Sequence, residues 1–153
     1  MDAIKNSMDY IGFMGPILTT IITTTTLLDK QKYLLSFFFG SIINNFLNGY
    51  LKNWIKQPRP KHPLPYIDDN QIKGFQIYGM PSGHAQIVSF TSTFLYLTKG
   101  NRTLLLVCLF ISLLTIYQRW SFRRHTIEQL IIGTIVGSSF SYILFWITKR
   151  YLE

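Results

Sequence analysis

Charged side chains are gathered rather than spread along this chain, and the gaps between them form its clearest pattern. Five stretches carry no Asp, Glu, Lys or Arg: residues 10–28, 33–51, 74–98, 103–118 and 129–148, with 19, 19, 25, 16 and 20 residues. A helix needs ~20 residues to cross the ~30 Å hydrocarbon core of a bilayer. Four stretches meet that length. The fourth reaches only ~24 Å at 1.5 Å per residue, with Arg102 and Arg119 placed to snorkel from its ends. The pattern predicts an all-α integral membrane helical bundle with about five transmembrane helices, in one domain over residues 1–153. Four spans plus one re-entrant or shortened segment are the alternative.

The polar stretches divide the spans. Residues 1–9 lack the basic start and small-residue cleavage site of a signal peptide. In the first span, Gly12, Gly15 and a threonine-rich run suggest close helix packing, with hydroxyls bonded back to helix carbonyls. In the second, Asn44, Asn45 and Asn48 need partners within a bilayer and are expected to face other helices. Residues 52–80 form the longest polar connection, and Pro58, Pro60, Pro63 and Pro65 favour extended chain there. The third span is expected to start near Pro81, a favoured first-turn residue. Residues 29–32 and 99–102 are tight connectors, and the fifth span begins near Thr126. With five spans, the N-terminus, 52–80 and 119–128 share one membrane face.

Composition supports a membrane protein that handles anions. The formal net charge is +8, from 15 Lys+Arg against 7 Asp+Glu, yet only 14% of residues are charged and 48% are apolar. A nucleic-acid binder would carry more charge spread along a face, so no nucleic-acid partner is expected. Membrane lipids and an anionic ligand are the expected partners. The single cysteine, Cys108, lies in an apolar run and reads as a small buried or lipid-facing residue.

Three polar segments on the shared face carry candidate chemistry: Lys52 to Pro60, Pro81-Ser82-Gly83-His84, and Gln118 to Gln129. Phosphoryl transfer builds charge on equatorial oxygens, so a site needs fixed cations and backbone donors. Lys52, Arg59 and Arg119 are the candidate cations, and the two arginines can each present a planar fork to two oxygens. Ser82 and Gly83 fall at an expected helix N-terminus, where free N–H groups and the dipole favour anions. Two histidines, His84 and His125, suit attack on phosphorus and protonation of the leaving oxygen near neutrality. No metal-ligand cluster is visible in the sequence.

These segments resemble the type-2 phosphatidic acid phosphatase family, whose pattern is K-x6-R-P, then P-S-G-H, then S-R-x5-H-x3-D. The chain has Lys52-x6-Arg59-Pro60, Pro81-Ser82-Gly83-His84 and Arg119-x5-His125, so the resemblance covers about residues 40–140. It implies that His125 is the nucleophile forming a phosphohistidine and that His84 is the general acid. It also implies that Lys52, Arg59, Ser82, Gly83 and Arg119 bind the phosphoryl group, with no metal or other cofactor. Gln118 stands where Ser is usual and Gln129 where an orienting Asp is usual. Gln129 lies four residues after His125, within reach of its ring, but an amide supplies no charge. It also completes Thr126-x-x-Gln129, a capping-box pattern, and Glu128 is the other candidate for the orienting role.

Tyr78-Gly79-Met80-Pro81-Ser82-Gly83-His84 and His125-Thr126-Ile127-Glu128-Gln129 look similar to the dolichyl diphosphate phosphatase branch, where the Gln is a branch trait. The resemblance therefore implies a polyprenyl or dolichyl diphosphate substrate, with phosphatidic acid or another lipid phosphate monoester as the alternative. A catalytically weak lipid-phosphate-binding protein is the alternative of another class. Vanadate haloperoxidases share such a pocket, but five apolar spans in so short a chain argue against them. Excluding Lys52, Arg59 and Arg119, Lys and Arg are equally numerous on the two faces, so charge sets no orientation. A lumenal or extracytoplasmic site follows from the resemblance alone. Outside the motifs, Arg123 and Arg124 read as headgroup anchors, and Trp54, Trp120, Tyr66 and Tyr78 as interfacial aromatics.

Overall fold

The computed structural model describes residues 2–66 and 73–152. Five α-helices follow in order: α1 Asp2–Thr26, α2 Gln31–Ile55, α3 Gly83–Lys99, α4 Arg102–Ser121 and α5 Ile127–Tyr151. A short 3-10 turn, Gly74–Ile77, precedes α3. Residues 67–72 of the long connection, expected to be extended, lie outside the described residues.

Helix α3 is the axis of the bundle and packs against all four of the others; α1 also packs on α4, and α2 on α5. Its central place explains its composition. Ser89, Thr91, Ser92 and Thr98 are buried, and three of them return their hydroxyls to their own helix. Thr91 donates to the Ile87 carbonyl at 3.0 Å, Ser92 to Val88 at 2.7 Å and Thr98 to Phe94 at 2.8 Å. The threonines of α1 do the same, with Thr19 donating to Gly15 and Thr20 to Pro16. Most of these hydroxyls thus find acceptors in their own helix, although buried Thr23 Oγ1 of α1 finds none.

The longest charge-free stretch yields the shortest helix. Of residues 74–98, only those from Gly83 onward enter α3, whose 17 residues rise ~25 Å. Ser82 ends the preceding loop as N-cap, accepting from the Ala85 N–H at 3.5 Å, and Pro81 stands outside the first turn where it was expected. The shortest stretch, by contrast, sits in the 20-residue α4, which takes in Arg102 and Arg119.

Small residues bring the helices close where the polar segments meet. A Cβ at Gly133 of α5 would stand 2.6 Å from the Ser82 carbonyl oxygen, and one at Gly137 would collide with the Gln86 carbonyl. At Gly12 of α1, a Cβ would stand 2.6 Å from the Leu114 carbonyl of α4. The apolar core lies in the opposite half, where Leu27, Tyr33, Phe37, Phe90 and Phe94 cluster.

The surface is apolar on the scale a bilayer requires. Ile17, Phe38, Phe46, Leu106, Phe110, Leu113, Ile131 and Tyr142 are exposed. Each such side chain held in water forgoes ~1.5–3 kcal/mol of burial, which lipid would restore. Two helices, Arg102–Ser121 and Ile127–Tyr151, are long and apolar enough by their own composition to cross a membrane. Threonines and asparagines dilute α1 and α2. Asn44 and Asn48 are buried as expected, but Asn45 is exposed.

Candidate active site

Helix α2 stops because Lys56 takes a left-handed conformation, φ 52°, and its N–H returns to the Lys52 carbonyl at 2.9 Å. The chain then runs beside the segment leading into α3. Gly79 donates its N–H to the Gln57 carbonyl at 2.8 Å, and buried Lys52 donates from Nζ to the Tyr78 carbonyl at 2.8 Å. Asn48 clamps the next turn, donating from Nδ2 to the Pro81 carbonyl at 3.2 Å and to Gln86 Oε1 at 2.8 Å. Gln86 in turn donates to both the carbonyl and the side chain of Asn44. The third segment joins through the Ser82 N–H, which donates to the Gln129 carbonyl at 3.0 Å. Arg59 spans the loops, with Nε donating to the Gln76 carbonyl at 2.8 Å and Nη1 to the Arg124 carbonyl at 3.0 Å.

His125 sits where these segments converge, 3% exposed and with both ring nitrogens engaged. Nδ1 lies 3.1 Å from Gln129 Oε1, and Nε2 lies 3.2 Å from Nη1 of Arg59. Groups with only one possible role fix the tautomer. The Pro58 carbonyl accepts from Gln129 Nε2 at 2.9 Å, and the Thr126 N–H donates to Oε1 at 3.2 Å. Those two contacts set the orientation of the amide, so Oε1 faces the ring. Nδ1 must then carry the hydrogen, and Nε2 presents its lone pair to the guanidinium. Burial pushes the His125 pKa well below the ordinary 6.5, and the charges of Arg59, Arg119 and Lys52 lower it further against the Gln129 hydrogen bond. These effects favour the neutral imidazole, with its lone pair held beside Arg59 and near Arg119 and Lys52.

Gln129 makes both of the contacts open to it. Its oxygen caps α5 in a Thr126–Gln129 capping box and also meets His125. Its amide nitrogen also donates to Gln57 Oε1 at 2.8 Å. Glu128, the other candidate for that position, is exposed. Gln118 is buried with Oε1 3.5 Å from Nη1 of Arg119. Arg119 itself is 2% exposed, and its guanidinium stands 5.9 Å from the Phe13 ring centroid. The His84 ring lies 5.8 Å from the same Phe13 ring, so one aromatic side chain touches both residues. Gly83 needs no special space within the protein: a Cβ there would meet the Asn48 side chain, no nearer than 3.4 Å. Among the described residues, no group of three His, Cys, Asp or Glu side chains could hold a metal.

Three features escaped the sequence. Arg124 is buried rather than set among headgroups, whereas Arg123 is exposed as expected. Gln57 accepts from the Gln129 amide, a contact no motif marks. Phe13 reaches the site from α1, and Tyr66 packs against both Phe13 and Phe122, with ring centroids 5.2 and 4.7 Å apart. Tyr66 is thus part of an aromatic cap, while Trp54 and Trp120 are exposed at this end.

Residues 33–152 match the PAP2 superfamily. The chain belongs to that superfamily. Among its relatives, Dolichyldiphosphatase of Saccharomyces cerevisiae is 31% identical over 119 residues, covering 71% of this chain and 49% of the relative. Lipid phosphate phosphatase epsilon 2, chloroplastic, of Arabidopsis thaliana is 36% identical over 110 residues, covering 67% and 35%. Dolichyldiphosphatase 1 of Homo sapiens is 29% identical over 157 residues, covering 91% and 63%. This PAP2 chain therefore spans between about a third and two thirds of the length of these relatives. Its fold is similar to the crystal structure of the transmembrane PAP2-type phosphatidylglycerolphosphate phosphatase of Bacillus subtilis. The TM-score is 0.67 and the identity 14%, over 99% of this chain and 89% of that one. Family, fold and exposed apolar surface together make it an integral membrane protein.

Proposed function

We propose that this protein is a membrane lipid phosphatase that hydrolyses a polyprenyl or dolichyl diphosphate through a phosphohistidine on His125. The observation that carries the reading is the lone pair of His125 Nε2, oriented through Nδ1 by Gln129 and surrounded by the charges of Lys52, Arg59 and Arg119. In the proposed reaction, Arg59 passes its N–H from Nε2 to a terminal phosphate oxygen, and Nε2 attacks phosphorus. The bond from phosphorus to the bridging oxygen breaks, and His84 protonates the departing lipid monophosphate. Water then attacks the phosphohistidine, His84 takes its proton, and inorganic phosphate leaves. The cations stabilise the charge on the equatorial oxygens, and at the start of α3 the Gly83 N–H and the Ser82 hydroxyl add donors, the Ser82 N–H being already given to the Gln129 carbonyl.

The names of the yeast and human relatives support the diphosphate substrate. The names of the plant relatives support a lipid phosphate monoester such as phosphatidic acid as the second substrate class. In the proposed topology all five helices cross the bilayer, with short α3 enclosed by the others and the site at the lumenal or extracytoplasmic face. One contact favours a different reading, a protein that binds lipid phosphate with little turnover: Arg59 covers the nucleophilic nitrogen at 3.2 Å, and no carboxylate replaces the Gln129 amide.

The test is phosphate release from a polyprenyl diphosphate and from phosphatidic acid by purified protein in detergent with a chelator present, beside His125→Ala. Diphosphate turnover lost in the variant is expected. Turnover that survives His125→Ala would end the phosphohistidine mechanism, and binding without turnover would leave the second reading.

A further inference from the structure

Phe13 precedes the residues matched to the PAP2 superfamily, 33–152, and yet reaches the proposed site. The Arg119 guanidinium lies 5.9 Å from its ring centroid, and the His84 ring lies 5.8 Å away at 35° to its plane. Two features place this half-buried ring. Gly12 and Gly15, three residues apart on α1, bring that helix against α4. A Cβ at Gly12 would stand 2.6 Å from the Leu114 carbonyl oxygen. One at Gly15 would collide with the Thr115 hydroxyl, which is itself tied back to the Ile111 carbonyl at 2.9 Å. The close approach sets the height of Phe13 along α4. From the loop before α3, Tyr66 meets the same ring edge to face at 5.2 Å and rests on Phe122 at 4.7 Å.

We propose that Phe13 is a positioning residue for phosphoryl transfer: its ring holds the His84 imidazole where it meets the leaving oxygen and keeps the Arg119 guanidinium against the phosphoryl group. The inference rests on the lipid phosphatase reading and adds a contribution from α1, which no motif marks. An aromatic face suits both neighbours. It attracts a guanidinium, and an imidazolium when His84 carries its proton, without bringing a negative charge that would repel phosphate. A flat ring packed beside an imidazole also favours particular mutual orientations, which a branched aliphatic side chain does not. Orientation matters to the acid, since it must come within ~2.6–3.2 Å of the oxygen it protonates. Phe13 itself offers substrate neither a proton nor a charge, so it acts through His84 and Arg119.

The test is kcat/KM in detergent for two substrates that differ in their need for an acid. Phosphatidic acid expels a strongly basic alkoxide, whereas nitrophenyl phosphate expels a phenolate that leaves without a proton. Because kcat/KM refers to free enzyme and substrate, it reads phosphoryl transfer rather than hydrolysis of the shared phosphohistidine. Phe13→Leu, apolar but without a ring, is expected to lower kcat/KM about 100-fold with phosphatidic acid, the lower end of what a positioned acid supplies. With nitrophenyl phosphate the loss should be only a few-fold, the part that passes through Arg119. His84→Ala should show the same bias, and Phe13→Tyr or Phe13→Trp, which return a ring, should restore most of the loss. Phe13→Met takes the place of Phe13→Leu if that variant fails to fold. Equal losses on the two substrates, as a merely structural residue would give, or a loss that neither ring variant repairs, would overturn the proposal. An unbiased His84→Ala removes the acid and the proposal together, whereas a biased His84→Ala beside an unbiased Phe13→Leu removes the proposal alone. If the parent hydrolyses neither substrate, the Kd for inorganic phosphate decides: a several-fold rise in Phe13→Leu upholds the hold on Arg119, and an unchanged value overturns it. Release from polyprenyl diphosphate by the same preparation then tells separately whether the phosphatase reading stands.

Discussion

Gly79→Ala probes the support of His125 without touching a group proposed to contact substrate. The added Cβ would lie 2.6 Å from Gln129 Cδ, where carbon pairs rest at ~3.5–4.0 Å. The end of a glutamine would normally swing aside. Here the amide is held by His125 Nδ1 and Thr126 on one side and by Gln57 and Pro58 on the other, so yielding by ~1 Å breaks the contacts that orient the ring. Overpacking of that kind costs ~1–3 kcal/mol of stability. A displacement of ~1 Å at a nucleophile lowers rate about 100-fold, equivalent to ~2.7 kcal/mol in the barrier. The assay is steady-state phosphate release in detergent, with melting temperature measured on the same samples. The expected result is kcat down about 100-fold with KM nearly unchanged, because the proposed cations stay in place. Gly83→Ala is the comparison: its Cβ meets the Asn48 side chain no nearer than 3.4 Å, so it should melt within a few degrees of the parent. A Gly79→Ala protein with parental kcat would refute the claim that Gln129 orients the nucleophile.

Gln129→Leu leaves the His125 Nδ1–H and the Pro58 carbonyl without their partner, and at ~1–3 kcal/mol per buried group it should lower both melting temperature and kcat. Gln129→Glu keeps the acceptor and adds a negative charge, which raises the pKa of His125; the acid limb of kcat/KM should move to higher pH, and a limb that stays put would remove the contact from the mechanism. In the parent, the folded pKa of His125 lies below its unfolded value near 6.5, so the acid limb of kcat/KM belongs below pH 6.5. The sign for stability is the same: the contribution is complete above 6.5 and is lost as pH falls through the folded value, because the unfolded chain then binds the proton first. Melting curves that improve on acidification through this range would contradict the neutral imidazole. Asn48→Leu frees the Pro81 carbonyl and Gln86 Oε1 in a buried position; a melting temperature equal to the parent's would show that the clamp on the Pro81 turn is not needed.

Much of this arrangement was legible because charge is costly in a bilayer. The five charge-free stretches each contain the greater part of one helix, and the polar stretches between them hold Lys52, Arg59, Arg119 and His125, whereas Pro81-Ser82-Gly83-His84 falls inside the third charge-free stretch. Helix ends were harder to read, since they are set by caps rather than by charge. Ser82 caps α3 and shortens it, and the left-handed Lys56 ends α2 beyond the last apolar residue. The second role of Gln129 could be framed from its spacing to His125, but the use of one oxygen for both contacts depends on Gln57 and Pro58, 72 and 71 residues away. Phe13 and Arg124 were hidden for the same reason. One looks like any apolar residue of a membrane helix and the other like any cation of an interfacial loop, and only packing separates them from their neighbours.

The most direct test is to mix the protein with a phosphorus-labelled polyprenyl diphosphate, quench in base, and locate the label by mass spectrometry and phosphorus NMR. The account predicts an acid-labile phosphoryl group on Nε2 of His125 that forms and decays fast enough to carry turnover. Label on His84 or on Nδ1 of His125, or full turnover with no phosphohistidine under conditions that preserve it, would contradict the account.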